Sequence, residues 1–460
     1  AIIILFMIIV YRIPGLAASI ALCIYTMLVL IIINVAGLTF TLPGIAGIIL
    51  SIGMAVDANV IIFERIKEEL GTGKTVQSAM KIGFNKAFSA IFDGNITTLI
   101  AAFVLGLKGS GAVKGFAYTL AIGIIVSMFT ALVVTRLLLK LFYDFGAKNE
   151  NLYGVVRETK TFNFIGRKNI FFCISAVLIL IGIVTVSVNG ARGKGMFNYG
   201  LDFKGGTSTA VTFNQDYSQA EIESTIIPDI VAAIGDSTVQ QQKVQGGNDV
   251  VFKTNNLSVE QREALEALLT SKYGVEQSSI LTENISGAVS NEMKTDAVVA
   301  VIIATICMLI YIWFRFKDIR FAGSAVLALL HDVLVVAGFY AVARITLGNT
   351  FIACMLTIVG YSINATIVIF DRIRENLGQM SKANLAEIVN TSISQTMRRS
   401  VYTTLTTFVM VVILFILGVS AIREFAAPLM VGIICGGYSS VCITGALWYV
   451  LKKGVKKADN

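Results

Sequence analysis

Apolar residues gather in long blocks along most of the chain. Most of the eleven blocks that we recognise are about 20 residues long, the length that a helix needs to cross roughly 30 Å of hydrocarbon. The pattern therefore predicts a polytopic α-helical membrane protein. The blocks cover residues 1–10, 17–38, 43–63, 87–106, 115–139, 169–189, 297–314, 321–343, 351–370, 400–418 and 425–450.

The first block is too short to span a bilayer. The chain also opens at Ala1 inside this apolar run, without a Met or a charged flank. We therefore expect this block to be the end of a truncated span, with further residues upstream in the natural protein.

One polar stretch interrupts the blocks, at residues 190–296. Its alternating and helical segments predict the order strand, helix, strand, strand, helix, strand, which is typical of a ferredoxin-like α+β domain. In the second helix, Ser258 and Gln261 have the spacing of a capping box, and Gly274 ends the segment. The predicted strands are 207–213, 238–244, 249–254 and 279–284, the helices are 218–234 and 257–274, and a turn covers 245–248.

An internal repeat links two apolar blocks that lie far apart in the chain. Residues 53–71 and 360–378 align without a gap, and nine of the 19 positions are identical. Both copies end at the same side of the membrane, so the two halves are predicted to be parallel repeats related by an axis along the membrane normal. This plan is typical of transporters, whose working site lies between the halves, although common ancestry alone would also leave such a repeat.

The charge distribution predicts the orientation. The chain is 55% hydrophobic and 14% charged, with a net charge of +8 and a mean hydropathy of +0.77. The basic residues concentrate in alternate short loops and in the C-terminal tail, which by the positive-inside rule face the cytoplasm. This pattern argues against nucleic-acid binding and predicts that residues 190–296 lie outside. Glu64, Arg65, Lys67, Asp371, Arg372 and Arg374 follow the repeats and are expected to end the spans and set their orientation.

An acid inside an apolar block is the sharpest chemical signal. Asp57 lies within the first repeat, where a carboxylate costs on the order of 3 kcal/mol to insert. Such an acid is a candidate carrier of a proton or another ion, or alternatively a packed and neutral structural group. Its counterpart in the second repeat is Asn364. Arg399 begins a later block at a similar depth and is predicted to pair with Asp57, or else to reach back to the interface.

A second acid, Asp93, lies at a similar depth and is a further candidate for the ion pathway. Neighbouring blocks carry amides and hydroxyls that can line a hydrated path or hold helices together. These supporting polar residues are Asn59, Asn95, Thr97, Thr98, Asn364, Thr366, Thr403 and Thr404.

The sequence argues against several other kinds of site. All six cysteines lie in apolar blocks and His331 is the single histidine, which argues against a His/Cys metal site. The glycine-rich segment 200–206 lacks the spacing of a phosphate loop, so no nucleotide binding is predicted. No catalytic triad is possible either, so we expect neither an enzyme nor a cofactor.

Longer motifs resemble a known family. Residues 41–70, 92–100 and 111–124 resemble the membrane part of SecD, and residues 198–207, 360–376 and 423–440 resemble SecF. The resemblance covers essentially the whole chain and implies the RND superfamily. It divides the chain into a SecD-like half (1–145), a cytoplasmic linker (146–168), a first SecF-like span (169–189), an exported domain (190–296) and the remaining SecF-like half (297–460).

The resemblance also implies a function. Family members are accessories of the Sec translocase that use the proton motive force, or a sodium gradient, to promote preprotein translocation across the bacterial cytoplasmic membrane. The implied partners are the SecYEG channel, preprotein, membrane lipids, and further accessory subunits and an insertase, without nucleic acid or nucleotide. Asp57 and Arg399 fall on the family's intramembrane acid and arginine. The family usually has an acid where this chain has Ala365, which puts a relay of two carboxylates in doubt.

Two other functions remain open from the residues alone. A solute or lipid exporter of the RND type would share the repeat and the intramembrane acid, although residues 190–296 are short for the porter domains of such exporters. A scaffold for the translocon that transports nothing would not need Asp57 at all.

Overall fold

Long helices dominate the computed structural model, which describes residues 2–38, 41–109, 112–154, 160–193, 195–237, 239–243, 248–380 and 383–458. Among these residues, ten helices are long and apolar enough to cross a membrane, and a shorter apolar helix precedes them. The chain is therefore a multi-pass helical membrane protein, as its apolar blocks predict.

The chain folds as two compact units. The helical unit comprises Ala1–Met196, Ala300–Ile345 and Thr350–Asn460, and the smaller unit comprises Phe197–Val299 and Thr346–Asn349. The smaller unit thus contains the predicted exported segment and also a short stretch, Thr346–Asn349, that no sequence pattern singles out.

Seven helices precede the smaller unit in the described part of the chain. Thr41 and Thr75 start two of them with N-caps, since each side chain accepts a hydrogen bond from the backbone three residues later. A π-helical turn at Thr130–Val134 joins two helices into one continuous span. The linker contains a 3₁₀ turn at Glu150–Tyr153, and its residues 155–159 lie outside the described part. The helices are α1 (Ile2–Tyr11), α2 (Ile13–Val35), α3 (Leu42–Gly71), α4 (Val76–Lys108), α5 (Ala112–Phe129), α6 (Thr135–Asp144) and α7 (Lys168–Ala191).

The smaller unit has the predicted ferredoxin-like topology. Its four-stranded antiparallel sheet has the order β3-β4-β2-β5, so the first long strand lies between the last two. Phe213, Ile230 and Phe252 are among its buried core residues. The elements are β1 (Asn198–Tyr199), α8 (Leu201–Lys204), β2 (Gly206–Thr212), α9 (Gln219–Glu221), α10 (Ile227–Ile234), β3 (Gln240–Lys243), β4 (Asp249–Thr254), α11 (Val259–Tyr273) and β5 (Ile280–Ile285).

The capping box predicted for α11 is confirmed. Ser258 accepts a hydrogen bond from the Gln261 amide at 3.3 Å, and the Gln261 side chain accepts one from the Ser258 amide at 2.9 Å. Gly274 ends the helix in the left-handed conformation, with φ of 63°. The predicted strand 238–244 is represented by β3, whereas Thr238, Val244 and the turn residues 245–247 lie outside the described part.

Six helices follow the smaller unit's main body. The first begins at Gly287, before the predicted block 297–314. The strand β6 pairs in parallel with β1 in the smaller unit, and a π-helical turn at Ser439–Thr444 joins the last two helices. These elements are α12 (Gly287–Phe316), α13 (Ile319–Ala343), β6 (Thr346–Leu347), α14 (Asn349–Gln379), α15 (Leu385–Leu417), α16 (Ser420–Tyr438) and α17 (Gly445–Ala458).

The two repeat helices occupy the centre of the helical unit. In α3 and α14, 83% and 89% of the most apolar stretch is buried inside the protein, more than in any other described span. Helix α4 packs closely on α14, because Gly94 lies against Asn364 and Thr98 lies against Gly360. The repeats thus place both copies of the motif where residues from each half can meet.

Candidate functional site

A small cavity holds the acid of the first repeat. Its volume is about 20 Å³, enough for about one water molecule. It brings Asp57 together with Asn364, its counterpart in the second repeat, and with the predicted partner Arg399. The lining residues are Asp57, Ile61, Tyr361, Asn364, Ala365, Val368, Arg399, Ser400 and Thr403, from α3, α14 and α15.

The two charges in this cavity are buried and incompletely satisfied. Asp57 is 4% exposed and accepts a hydrogen bond of 3.4 Å from the Thr406 hydroxyl. Arg399 is 7% exposed, and its Nη2 has no hydrogen-bond partner among the described residues. The two side chains face one cavity without an ion pair between them in the described part of the chain. Buried charges need close partners. A proton or a cation bound at Asp57, or a water molecule between the two side chains, could supply the partner that is missing here.

A ring of four charges lies further along the two repeat helices. Within each repeat, Arg65 donates to Glu68 at 2.8 Å and Arg372 donates to Glu375 at 3.2 Å. Between the repeats, Arg65 lies 3.4 Å from Glu375, and Arg372 donates to Glu68. We call these four residues the charge ring.

The charge ring shows a contact between the repeats that the sequence did not predict. Arg65 and Arg372 do not only end the spans at the interface, because they are 7% and 8% exposed and tie the two repeats together. The repeat alignment shows that these positions are equivalent, but it contains no signal for pairing between the copies. Arg65 follows Asp57 by eight residues, which is about 12 Å along a helix.

Asp93 lies outside the Asp57 cavity. It accepts hydrogen bonds from the Tyr311 hydroxyl at 2.8 Å and from Arg315 Nε at 2.6 Å. Arg315 also donates to Ser89 and lies 3.8 Å from Asp371. The structure therefore places this acid in an ion pair between α4 and α12, with its charge already balanced.

Only two of the eight supporting amides and hydroxyls line the cavity. Asn364 and Thr403 line the cavity, and Asn364 Oδ1 has no hydrogen-bond partner among the described residues. Thr404 does not line the cavity and lies against Gly437 of α16. The remaining members bond elsewhere in the bundle. Asn59, Asn95 and Thr97 donate to carbonyls of their own helices. Thr98 also donates to the Gly360 carbonyl of α14, and Thr366 shares a hydrogen bond with Ser440, so these two hold helices together.

A further buried acid, Asp332, was missed from the sequence. Asp332 in α13 is 0% exposed, and its carboxylate accepts hydrogen bonds from four side chains. They are Ser362 at 2.5 Å, Ser439 at 2.8 Å, His331 at 2.9 Å and Cys435 at 3.2 Å. The position of Asp332 inside the apolar block 321–343 is the signal that finds it, by the argument applied to Asp57.

The Asp332 cluster also bears on metal binding. The ligand atoms of His331, Asp332 and Cys435 lie within 4.8 Å of one another, so these residues could hold a metal ion. The single histidine of the sequence argues against a His/Cys metal site, but it does not exclude this mixed set, whose members are 103 and 104 residues apart in the chain. The hydrogen bonds to the Asp332 carboxylate already explain why these three side chains lie close together.

Comparison with known proteins shows the family of this chain. The model for "Protein export membrane protein SecD/SecF, C-terminal" matches residues 1–144 and 265–454. The chain belongs to this family. The two matched segments contain both copies of the repeat and every residue of the Asp57 cavity.

Fused relatives match along nearly the whole chain, and a separate SecD matches part of it. The protein translocase subunit SecDF of Bacillus subtilis is 36% identical and covers 100% of this chain, which spans 64% of that protein. SecD of Acidaminococcus fermentans is 57% identical over 135 residues, 29% of this chain and 32% of its own length. The crystal structure of SecDF from Thermus thermophilus, described as a translocon-associated membrane protein, has a TM-score of 0.86 and 37% identity, and covers 98% of this chain and 61% of its own.

These matches confirm the resemblance read from the motifs. SecD-like and SecF-like parts occur in one polypeptide, in that order, as in the fused relatives. The chain spans between 61% and 64% of the length of the two fused relatives named above.

Proposed function

We propose that this protein is an accessory of the Sec protein translocase that uses an ion gradient to promote preprotein movement across the bacterial cytoplasmic membrane. This proposal rests mainly on the cavity between the two repeats, which holds one buried acid and one buried arginine. The names of the fused relatives favour this function over export of solutes or lipids. The partners that we propose are the SecYEG channel and the unfolded preprotein, and the coupling ion is a proton, with sodium as the alternative.

The acid and the arginine support a cycle with two arrangements. In one, Asp57 is ionised and Arg399 approaches it, so that the two charges compensate each other. In the other, Asp57 carries the ion and Arg399 withdraws, so that no net attraction remains between α3 and α15 at the cavity. One charge that moves through a potential of 100 mV supplies about 2.3 kcal/mol, comparable to the few kcal/mol that separate two conformations of a protein.

The charge ring provides a link between the cavity and the rest of the bundle. Movement of α3 against α14 has to stretch the pairs Arg65–Glu375 and Arg372–Glu68, which join the two repeats. We propose that the ring holds the repeats in register while no ion is bound at Asp57. Binding of the ion to this acid then weakens the ion pairs between the repeats. The ring lies at the end of the bundle that the positive-inside pattern assigns to the cytoplasm.

A single carboxylate carries the ion in this proposal. Ala365 and Asn364 line the cavity on the side of the second repeat, and neither titrates. Asp93 acts instead in the ion pair with Arg315 and affects the path only through the packing of α4 on α12. Thr403, Thr406 and Asn364 are the polar groups that accompany the ion at Asp57.

Proton flux into vesicles tests this assignment. Vesicles that contain the protein and a trapped pH indicator are exposed to a potassium diffusion potential, with or without sodium. We expect the protein to carry protons and Asp57→Asn to abolish the flux. Thr97→Ala is a matched control, because that hydroxyl donates only to a carbonyl of its own helix. Undiminished proton flux through Asp57→Asn would contradict the assignment, and flux of sodium in place of protons would identify the other ion.

A further inference from the structure

A second and larger cavity lies where α4 begins and α6 ends. Its volume is about 480 Å³, within the size range of small-molecule sites. It shares no lining residue with the Asp57 cavity. The lining residues are Thr75, Gln77, Ser78, Met80, Lys81, Phe84, Arg136, Lys140, Tyr143 and Asp144.

Three cations and one carboxylate line this cavity. Lys81 and Lys140 have no hydrogen bond or ion pair among the described residues, and both are exposed. The guanidinium of Arg136 lies 5.7 Å from the centre of the Phe84 ring and makes no ion pair in the described part. Asp144 also lines the cavity and makes no ion pair with a described residue. The excess of positive charge selects for an anion, and its cationic groups are free to bind one.

The start of α4 adds neutral donors to the same cavity. The Thr75 hydroxyl accepts a hydrogen bond from the Ser78 amide at 3.4 Å. The amides of Val76 and Gln77, in the first turn, have no acceptor within the helix, and the helix dipole favours an anion at this end. The side chains of Gln77 and Ser78 add further donors. Phosphate oxygens fit this combination of amides, hydroxyls and cations.

Depth in the membrane points to a lipid as the source of the phosphate. Helix α4 has 33 residues, about 50 Å of helix, whereas the hydrocarbon is about 30 Å thick. Its apolar block 87–106 leaves Phe84 about 5 Å and Lys81 about 9 Å beyond the hydrocarbon, close to the level of the headgroups. Met80 and Phe84 are 7% and 4% exposed and give this cavity an apolar floor, which suits the glycerol and the first part of an acyl chain.

We propose that this cavity binds the headgroup of an anionic phospholipid, with Lys81, Arg136 and Lys140 holding the phosphodiester and the first turn of α4 completing the site. Cation-lined pockets between membrane helices recognise such lipids by the same chemistry. The site is separate from the Asp57 cavity, so the proposal does not depend on the ion-coupled function.

Native mass spectrometry of the purified protein tests the site. The protein in detergent is titrated with cardiolipin, phosphatidylglycerol or phosphatidylcholine, and the dissociation constant of the first bound lipid is measured. We expect cardiolipin and phosphatidylglycerol to bind at least tenfold more tightly than phosphatidylcholine. The triple variant K81Q/R136Q/K140Q should lose about 10- to 100-fold in affinity for the two anionic lipids.

A matched triple variant separates a specific site from general attraction. K160Q/R167Q/K168Q removes the same charge near the start of α7, away from this cavity, and should keep the preference for anionic lipids. Lys140→Gln, at an exposed position, tests the site if the triple variant does not fold: it should weaken binding of the two anionic lipids, whereas the exposed Lys160→Gln should not. Equal losses in both triple variants, no preference in the unaltered protein, or displacement of the lipid by millimolar inorganic phosphate would each overturn the proposal.

Discussion

The buried charges of the helical unit differ in how well each is satisfied. Asp332 has four donors and Asp93 has an arginine within 2.6 Å. Asp57 has one hydrogen bond of 3.4 Å, and Arg399 Nη2 has no partner among the described residues. At the scale of single residues, this contrast separates a site that can change its state from groups that hold the structure together.

Charge compensation across the cavity predicts coupling between Asp57 and Arg399. Asp57→Asn leaves a buried arginine without a counter-charge, and Arg399→Gln leaves a buried acid, so each costs stability. The double variant should be about 1–3 kcal/mol more stable than the sum of the single effects. Unfolding by denaturant in detergent measures the cycle. Arg399→Gln combined with Asp93→Asn serves as control and should be additive, whereas additivity for Asp57 and Arg399 would contradict the coupling.

The smaller unit carries a residue-level dependence on pH. The Lys272 ammonium, 2.6 Å from Asp229, and the Tyr273 hydroxyl hold the pKa of that carboxyl below its usual value. A lowered pKa in the folded state contributes stability above the unfolded value of about 3.9, and this contribution is lost as the pH falls through the folded value.

Asp229→Asn should therefore weaken protection of the amides of α11 more at pH 6 than at pH 2. Hydrogen exchange followed by mass spectrometry, corrected for the intrinsic rate at each pH, measures the difference. Lys272→Met should show the same loss at pH 6. An equal effect of Asp229→Asn at both pH values would mean that the carboxylate's charge does not stabilise this unit.

At the scale of elements, close contact between α4 and α14 controls the shape of the cavity. A Cβ added to Gly94 would lie 2.0 Å from Asn364 Oδ1 and 2.6 Å from its Cγ. Because Asn364 lines the cavity, α4 reaches the site through the absence of a side chain at Gly94. This effect of α4 on the cavity does not depend on an ionisable residue.

Gly94→Ala should displace Asn364, lower the proton flux and cost about 1–3 kcal/mol in stability. Gly323→Ala in α13 is the matched control, since a Cβ there meets nothing within 4 Å, and it should be neutral or stabilising by about 0.5–1 kcal/mol. Thermal unfolding in detergent and the vesicle assay measure both effects. Equal behaviour of the two variants would argue against close contact at Gly94.

The charge ring couples two other elements, α3 and α14. Glu68 accepts from both arginines of the ring, so Glu68→Gln removes charge-assisted bonds to Arg65 and Arg372 and should cost about 1–3 kcal/mol. Arg374→Gln is the control, because its pair with Asp371 lies within one helix and its side chain is 45% exposed. That variant should cost no more than about 0.5 kcal/mol. A cost below this value for Glu68→Gln as well would show that the ring does not join the repeats.

At the scale of the whole molecule, the features predicted from the sequence were those encoded by neighbouring residues. Apolar block length predicted the spans, and the Ser258 and Gln261 spacing predicted the start of α11. The partners across the fold were not predictable in this way. Asp93 and Arg315 are 222 residues apart, and only packing of α4 against α12 makes them neighbours. The repeat placed Asp57 and Asn364 at equivalent positions, but their shared cavity depends on how α3, α14 and α15 meet.

The most direct measurement of the central claim is preprotein translocation into vesicles that contain the SecYEG channel and this protein, with and without an imposed proton motive force. The account predicts that the force-dependent part of transport is present with the unaltered protein and absent with Asp57→Asn, while the force-independent part is unchanged. Force-dependent transport that survives in Asp57→Asn would contradict the account. The acid would then be structural, and the energy would enter through another path.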